Sequence, residues 1–161
     1  MSNDRLNTAQ WILERQIAWI VAADSKVAAL ITITTAMLGG LAAAFSSMTA
    51  TKSIWTLSFC LFAVVCGGAS IACSALALLP RTNGPKESLV FFGPISAISA
   101  DDYATRLKDA TDDELLRDWS FQIHRNAQIV RGKHAWVRRG MKWAFAGAPA
   151  WAIAIYMLVR V

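Results

Sequence analysis

Charged residues are absent from three long stretches of this chain, and that spacing organises everything else. Residues 27–51, 53–80 and 143–159 contain no Asp, Glu, Lys or Arg. A helix that crosses a bilayer needs about 20 mostly apolar residues, within a range of about 17–25. The first two stretches exceed that need and the third just reaches it. A water-soluble helix keeps a polar face, whereas these runs offer little beyond Ser, Thr, Cys and Gly. A chain of 161 residues is also too short to wrap three wholly apolar helices in protein. The pattern therefore predicts three spans, at about 27–47, 54–79 and 141–160.

The flanking segments carry helical periodicity. Trp11, Leu13, Ile17, Ile20 and Val21 recur at three- and four-residue steps around Glu14 and Arg15, which predicts a helix over 6–26. No Pro or Gly interrupts before Gly39, so this helix is expected to run straight into the first span. A helix lying on the membrane surface is the alternative. Pro80 closes the second span, and Arg81-Thr-Asn-Gly-Pro85 is turn chemistry. Ser88–Ile95 is apolar without helical punctuation and reads as a strand or an extended segment. Ser99 with Asp102, and Thr111 with Glu114, have capping-box spacing. They predict a short helix at about 100–109 and the start of a long one. Leu115, Leu116, Trp119, Ile123, Ala127 and Val130 give the long helix an apolar face, and nothing stops it before the third span.

The expected fold is an all-α membrane protein with three transmembrane helices, two of them extended into a small cytoplasmic helical bundle. Its segments are an N-terminal cytoplasmic helix (1–26), a transmembrane hairpin (27–80), a cytoplasmic sensor segment (81–140) and the third span (141–160). Small residues four apart (Ala36, Gly40, Ala44; Gly68, Ala72; Ala144, Ala148, Ala152) allow close helix approach, within the chain or between copies. Pro149 is expected to kink the third span.

Charge sets the orientation. Of 16 Lys and Arg residues, 11 fall in 81–142, while the connection between the first two spans has only Lys52. Cationic loops stay in the cytoplasm, so the N-terminus and 81–140 are expected inside and the C-terminus, with Arg160, outside. Six charges precede the first span (Asp4, Arg5, Glu14, Arg15, Asp24, Lys26), unlike the short basic start of a secretory signal. Trp55 and Trp143 suit interfacial anchoring. Cys60, Cys66 and Cys73 lie inside the second run and read as small packing residues.

Candidate chemistry is sparse. The sequence has no nucleophile elbow, phosphate loop or His-x-x-x-His zinc site. His124 and His134 are too far apart to share a metal, and Asp112-Asp113-Glu114 suits a helix start. Neither a catalytic site nor a metal site is expected, nor is a nucleic-acid partner. Asp24 and Lys26 stand at the mouth of the first span, as anchors or as partners for the long helix. Arg125, Arg131, Lys133, Arg138 and Arg139 form a basic cluster suited to anionic lipid or to a phosphate-bearing ligand.

Several short motifs then fall in a telling order. Ala23-Asp24-Ser25-Lys26-Val27-Ala28 leads into the first span, and Leu79-Pro80-Arg81 follows the second. Phe91-Phe92-Gly93-Pro94-Ile95 comes next, then Tyr103, then Gln122-Ile123, Asn126, Ile129 and Lys133 on the long helix. This order resembles the Pycsar transmembrane effector family over nearly the whole chain. Val27 stands where the family commonly has Ala, and Pro94 where an acidic or polar residue is frequent. The resemblance implies a bacterial inner-membrane, multi-pass effector of anti-phage defence, with no cofactor. It would answer a cyclic pyrimidine mononucleotide, cyclic CMP or cyclic UMP, made by a partner cyclase. It would then impair the membrane, as a homo-oligomer within the lipid bilayer. The family motif carries Asp24, Lys26, Phe92, Gly93, Tyr103, Asn126 and Lys133 into this sequence, with Asp24, Lys26, Phe92 and Gly93 expected to form a structural network. Arg125, Asn126, Lys133 and Tyr103 are the expected ligand contacts, Arg125 or Lys133 meeting the phosphate. The competing readings are a membrane anchor or scaffold that recruits a cytoplasmic partner, and a membrane enzyme.

Overall fold

The computed structural model describes residues 2–47, 51, 53–80, 84–85 and 87–160. Lys52 and residues 81–83, including Arg81 of the Leu79-Pro80-Arg81 motif, lie outside the described residues. The chain forms α1 (Ser2–Ser47), α2 (Ile54–Leu78), α3 (Phe92–Ser96), α4 (Ala100–Asp109) and α5 (Asp112–Val159), with no strand among the described residues. Three of these, α1, α2 and α5, are long and apolar enough to cross a membrane. The stretch over 6–26 is part of one helix with the first span, and Lys26 marks no break.

Two compact units divide the chain. A span unit comprises Ala23–Leu79 with Lys133–Val161, and a polar unit comprises Met1–Ala22 with Pro80–Gly132. Both α1 and α5 contribute a stretch to each.

Within the span unit, small residues face inward and large ones outward. The buried positions of α2 are Thr56, Cys60, Ala63, Cys66, Gly67, Ser70, Cys73, Ser74 and Ala77. Most of them follow the alternating four- and three-residue steps of a coiled-coil seam. In α1, Ala23, Val27, Thr34 and Leu41 are buried, with Leu30, Met37 and Ala44 half-buried between them. In α5, Lys133, Val137, Gly140, Gly147, Ala154 and Leu158 are buried, with Ala144 and Trp151 half-buried. Leu61, Phe62, Val65, Ile33 and Phe145 stay exposed. Lipid solvates such side chains as well as protein does, so helix association in a membrane relies on close packing of small residues instead.

Glycine shows where the approach is tightest. A Cβ added at Gly147 would lie 2.7 Å from Cys66 Cβ, and one at Gly67 would lie 2.9 Å from Leu38 Cδ2. Gly40 and Gly68, predicted from four-residue spacing, have nothing within 4 Å of an added Cβ. The packing repeat within the chain is seven, and these two positions lie off it. Trp151 adds a polar link, its Nε1 donating to the Met37 carbonyl at 2.7 Å. Pro149 lies inside α5, which continues through it. Local rearrangement can satisfy the freed carbonyl in a membrane helix.

The polar unit shows two further differences from the sequence expectation. Trp11, Ile17 and Val21 are exposed, while Ala9 is buried and Leu13 and Ile20 are half-buried. The inner face of α1 here consists of Leu6, Ala9, Ile12, Leu13, Gln16 and Ile20, and the large apolar residues that suggested a face are split around the helix. The strand or extended segment expected over Ser88–Ile95 instead has Ser88–Phe91 without regular structure, followed by the single helical turn α3. Pro94 cannot donate to a ladder, and no neighbouring strand exists among the described residues for the segment to join.

Candidate functional site

Segment 88–91 lacks sheet partners, so its backbone polar groups must be satisfied by side chains. Asp118 of α5 accepts from Leu89 N–H through Oδ2 at 2.8 Å. Tyr103 of α4 donates its hydroxyl to the Leu89 carbonyl at 2.9 Å. Ser88 Oγ accepts from Val90 N at 3.1 Å and Phe91 N at 2.8 Å, and the Gln122 side-chain amide donates to it at 3.4 Å. Two helices, α4 and α5, thereby hold one short segment. Phe91 then turns its ring against Gly84 and Gly93. A Cβ on Gly93 would meet that ring at 2.9 Å and one on Gly84 at 2.4 Å. Gly93 is needed for this close approach, whereas Phe92 beside it is exposed.

The helix starts are fixed as the spacing predicted. Ser99 Oγ accepts from Asp102 N–H at 3.1 Å and caps α4. Thr111 Oγ1 accepts from Glu114 N–H at 3.3 Å, and the Glu114 carboxylate accepts back from Thr111 N–H at 2.8 Å. These bonds from the Thr111 backbone and hydroxyl hold the Glu114 carboxyl below its ordinary value of 4.5.

Between these anchors the polar unit has an open cleft of about 910 Å³, walled by Ser88–Leu89, Pro94, Ile98, Arg106 and the α5 face Glu114–Phe121. A second, more apolar cleft of about 670 Å³ lies between the start of α1 and α5, lined by Arg5, Ile12, Leu116, Ile123 and His124 among others.

The predicted site residues are distributed unevenly. Tyr103 and Gln122 belong to the network around Leu89. Arg125 lies on α5 in the same unit, where its guanidinium donates to Gln128 Oε1 at 3.2 Å. Asn126 is half-buried on the seam side of α5, seven residues before Lys133. Lys133 belongs to the span unit, is 9% exposed and forms an ion pair with Asp24 of α1. Its ammonium is thus already committed to a carboxylate. Lys26 is exposed. Sequence reasoning missed Ser88 and Asp118. A signal existed, because Asp118 and Gln122 are polar residues one turn apart on a half-buried face.

Among the described residues no group of His, Cys, Asp and Glu is arranged to hold a metal ion. The three cysteines are buried and unpaired by disulfides. What the polar unit can do chemically is bind, through guanidinium, carboxylate, aromatic and backbone groups around an open cleft.

Comparison with known proteins adds one match. The sequence model of the Pycsar effector protein domain matches residues 8–160. No curated protein and no solved structure matches the chain.

Proposed function

The chain belongs to the Pycsar effector family, membrane effectors of an anti-phage cyclic-pyrimidine system, and from that premise we propose that cyclic CMP or cyclic UMP activates it to impair the bacterial inner membrane. The observation that carries this reading is the sharing of helices. Both α1 and α5 have one stretch in the polar unit and another in the span unit. A ligand that favours one arrangement of the polar unit acts directly on helices that also cross the membrane. Such a ligand works by shifting a population toward the state it binds better. The excess of Lys and Arg in 81–142 supports a cytoplasmic polar unit and N-terminus, where a cyclase product would be met. The family is not a known enzyme family.

Among the described residues, the span unit of a single chain shows no wide conduit. The cavity inside the span unit, beside Thr34, Met37, Gly67 and Trp151, is only about 20 Å³. Impairment of the membrane therefore calls for several copies, which supports a homo-oligomeric active form.

The test is membrane potential, read with a voltage-sensitive dye in cells that express this chain beside a cyclic-pyrimidine cyclase. Depolarisation is expected with the active cyclase and not with a catalytically dead one. An unchanged potential, with the protein confirmed in the membrane, would overturn the reading in favour of a scaffold.

A further inference from the structure

We infer that the 910 Å³ cleft of the polar unit is the nucleotide site, with Arg106 and Arg117 holding the cyclic phosphate and Phe121 stacking on the base. This rests on the ligand reading above and adds where that ligand sits.

The first argument is the state of the two cations. Arg106 closes the last turn of α4, and Arg117 stands one turn into α5. Neither guanidinium has a carboxylate within 4 Å among the described residues, where the ion pair recorded is Lys133 with Asp24. Arg117 instead lies over the Phe121 ring at 5.8 Å. Guanidinium is the side chain best matched to the paired oxygens of a phosphate. The second argument is Phe121, which is 54% exposed at the cleft. An aromatic face beside a free cation suits a planar base on a charged backbone, because stacking and phosphate contact then act on one ligand.

The third argument is the remaining wall. Asp118 is held by Leu89 N–H and Glu114 by Thr111, so both are fixed in place. Glu87 lines the same cleft and is exposed. Carboxylates accept from the donors that a cyclic pyrimidine nucleotide presents, the ribose 2′-hydroxyl and the amino or imino N–H of the base. Two guanidiniums against three carboxylates give no general positive field. Binding would then depend on direct Arg–phosphate contacts more than on long-range attraction, which separates this cleft from a basic patch for lipid. The volume is within the range of about 300–1,000 Å³ common for small-molecule sites. The apolar cleft beside Arg5 has one guanidinium, and the exposed ring in its wall is the smaller His124 imidazole.

The experiment is calorimetric titration of the purified full chain in detergent with cyclic CMP, cyclic UMP, cyclic AMP and cyclic GMP. Arg106→Ala and Arg117→Ala are each expected to weaken cyclic-pyrimidine binding about 10-fold or more, with an unchanged helical spectrum and melting temperature. Phe121→Leu should weaken it by a similar or smaller factor, and Arg5→Ala, in the wall of the apolar cleft, should leave it unaltered. Arg117→Lys keeps the charge and loses the fork, so an intermediate loss is expected; it serves if the alanine variant fails to fold. Wild-type binding that survives the Arg106→Ala/Arg117→Ala double variant would overturn the cleft and leave the ligand reading intact. Loss on Arg125→Ala alone would move the phosphate to that residue and overturn the cleft as well. Binding of cyclic purines alone, lost in the double variant, would keep the cleft as a nucleotide site and overturn the pyrimidine reading. Absence of binding to all four nucleotides would overturn both.

Discussion

The two units use opposite rules on the same two helices. In the span unit, packing rests on what is missing from the side chains: Gly67, Gly140, Gly147, Ala63, Ala77 and Ala154 let backbones meet, and large apolar residues are turned out. In the polar unit, order rests on hydrogen bonds reaching 14 to 34 residues along the chain, from Tyr103, Asp118 and Gln122 to the segment at Ser88–Leu89. The reason is the solvent. Lipid gives no hydrophobic drive between helices, so shape and close approach decide. Water competes for every polar group, so an irregular segment stays put only where its N–H and C=O groups find fixed partners. A substitution that is severe in one unit should therefore be mild in the other.

The largest effect is expected from Gly147→Val. Its new side chain would begin 2.7 Å from Cys66 Cβ, and overpacking of a tight contact costs about 1–3 kcal/mol or more. Steric trapping in bicelles should show loss of the span unit, while Gly40→Val, which meets nothing, should be tolerated. Asp24→Ala comes next. It leaves the Lys133 ammonium in a largely buried place without its carboxylate, at a cost of about 1–3 kcal/mol. Asp24→Ala/Lys133→Met should recover part of that loss, which a double-mutant cycle would measure. Asp118→Ala should cost about 1–2 kcal/mol by stranding Leu89 N–H. Protection of that amide against hydrogen exchange should fall while the span unit stays unaffected.

The smallest effect is a pH dependence at the start of α5. Glu114 is held below its ordinary value of 4.5 by Thr111. Its contribution is therefore fully present above pH 4.5 and is lost as the pH falls through the lower folded value. Helix fraying at Thr111–Leu115, followed by amide shifts, should appear on acidification, and Glu114→Gln should remove that dependence.

What could be read in advance follows the same division. The three spans were legible because charge-free length needs no knowledge of partners, and both capping boxes because their bonds reach only three residues. The seam within the span unit could not be singled out from the four-residue stripes, since Ala-rich helices offer such spacings everywhere and only contact with α2 and α5 selects the seven-residue one. Asp24 could be read as an anchor or as a partner for the long helix, and it does pair with Lys133 there, 109 residues away. The Leu89 network and the cleft beside it depend on three elements meeting, which no local periodicity encodes.

One consequence of the glycine contacts concerns motion. Gly140 and Gly147 stand seven residues apart on α5, each with little room for a side chain. Sliding α5 by a single residue would bring a side chain to each of these places: Arg139 and Ala146 in one direction, Met141 and Ala148 in the other. Small displacements are thus penalised, and a shift becomes tolerable again only after a whole repeat or after separation of the helices. The span unit behaves as a detent, with discrete stops instead of a continuous slide. For an effector gated as proposed above, such stops would hold an off state that weak or transient stimuli do not gradually erode.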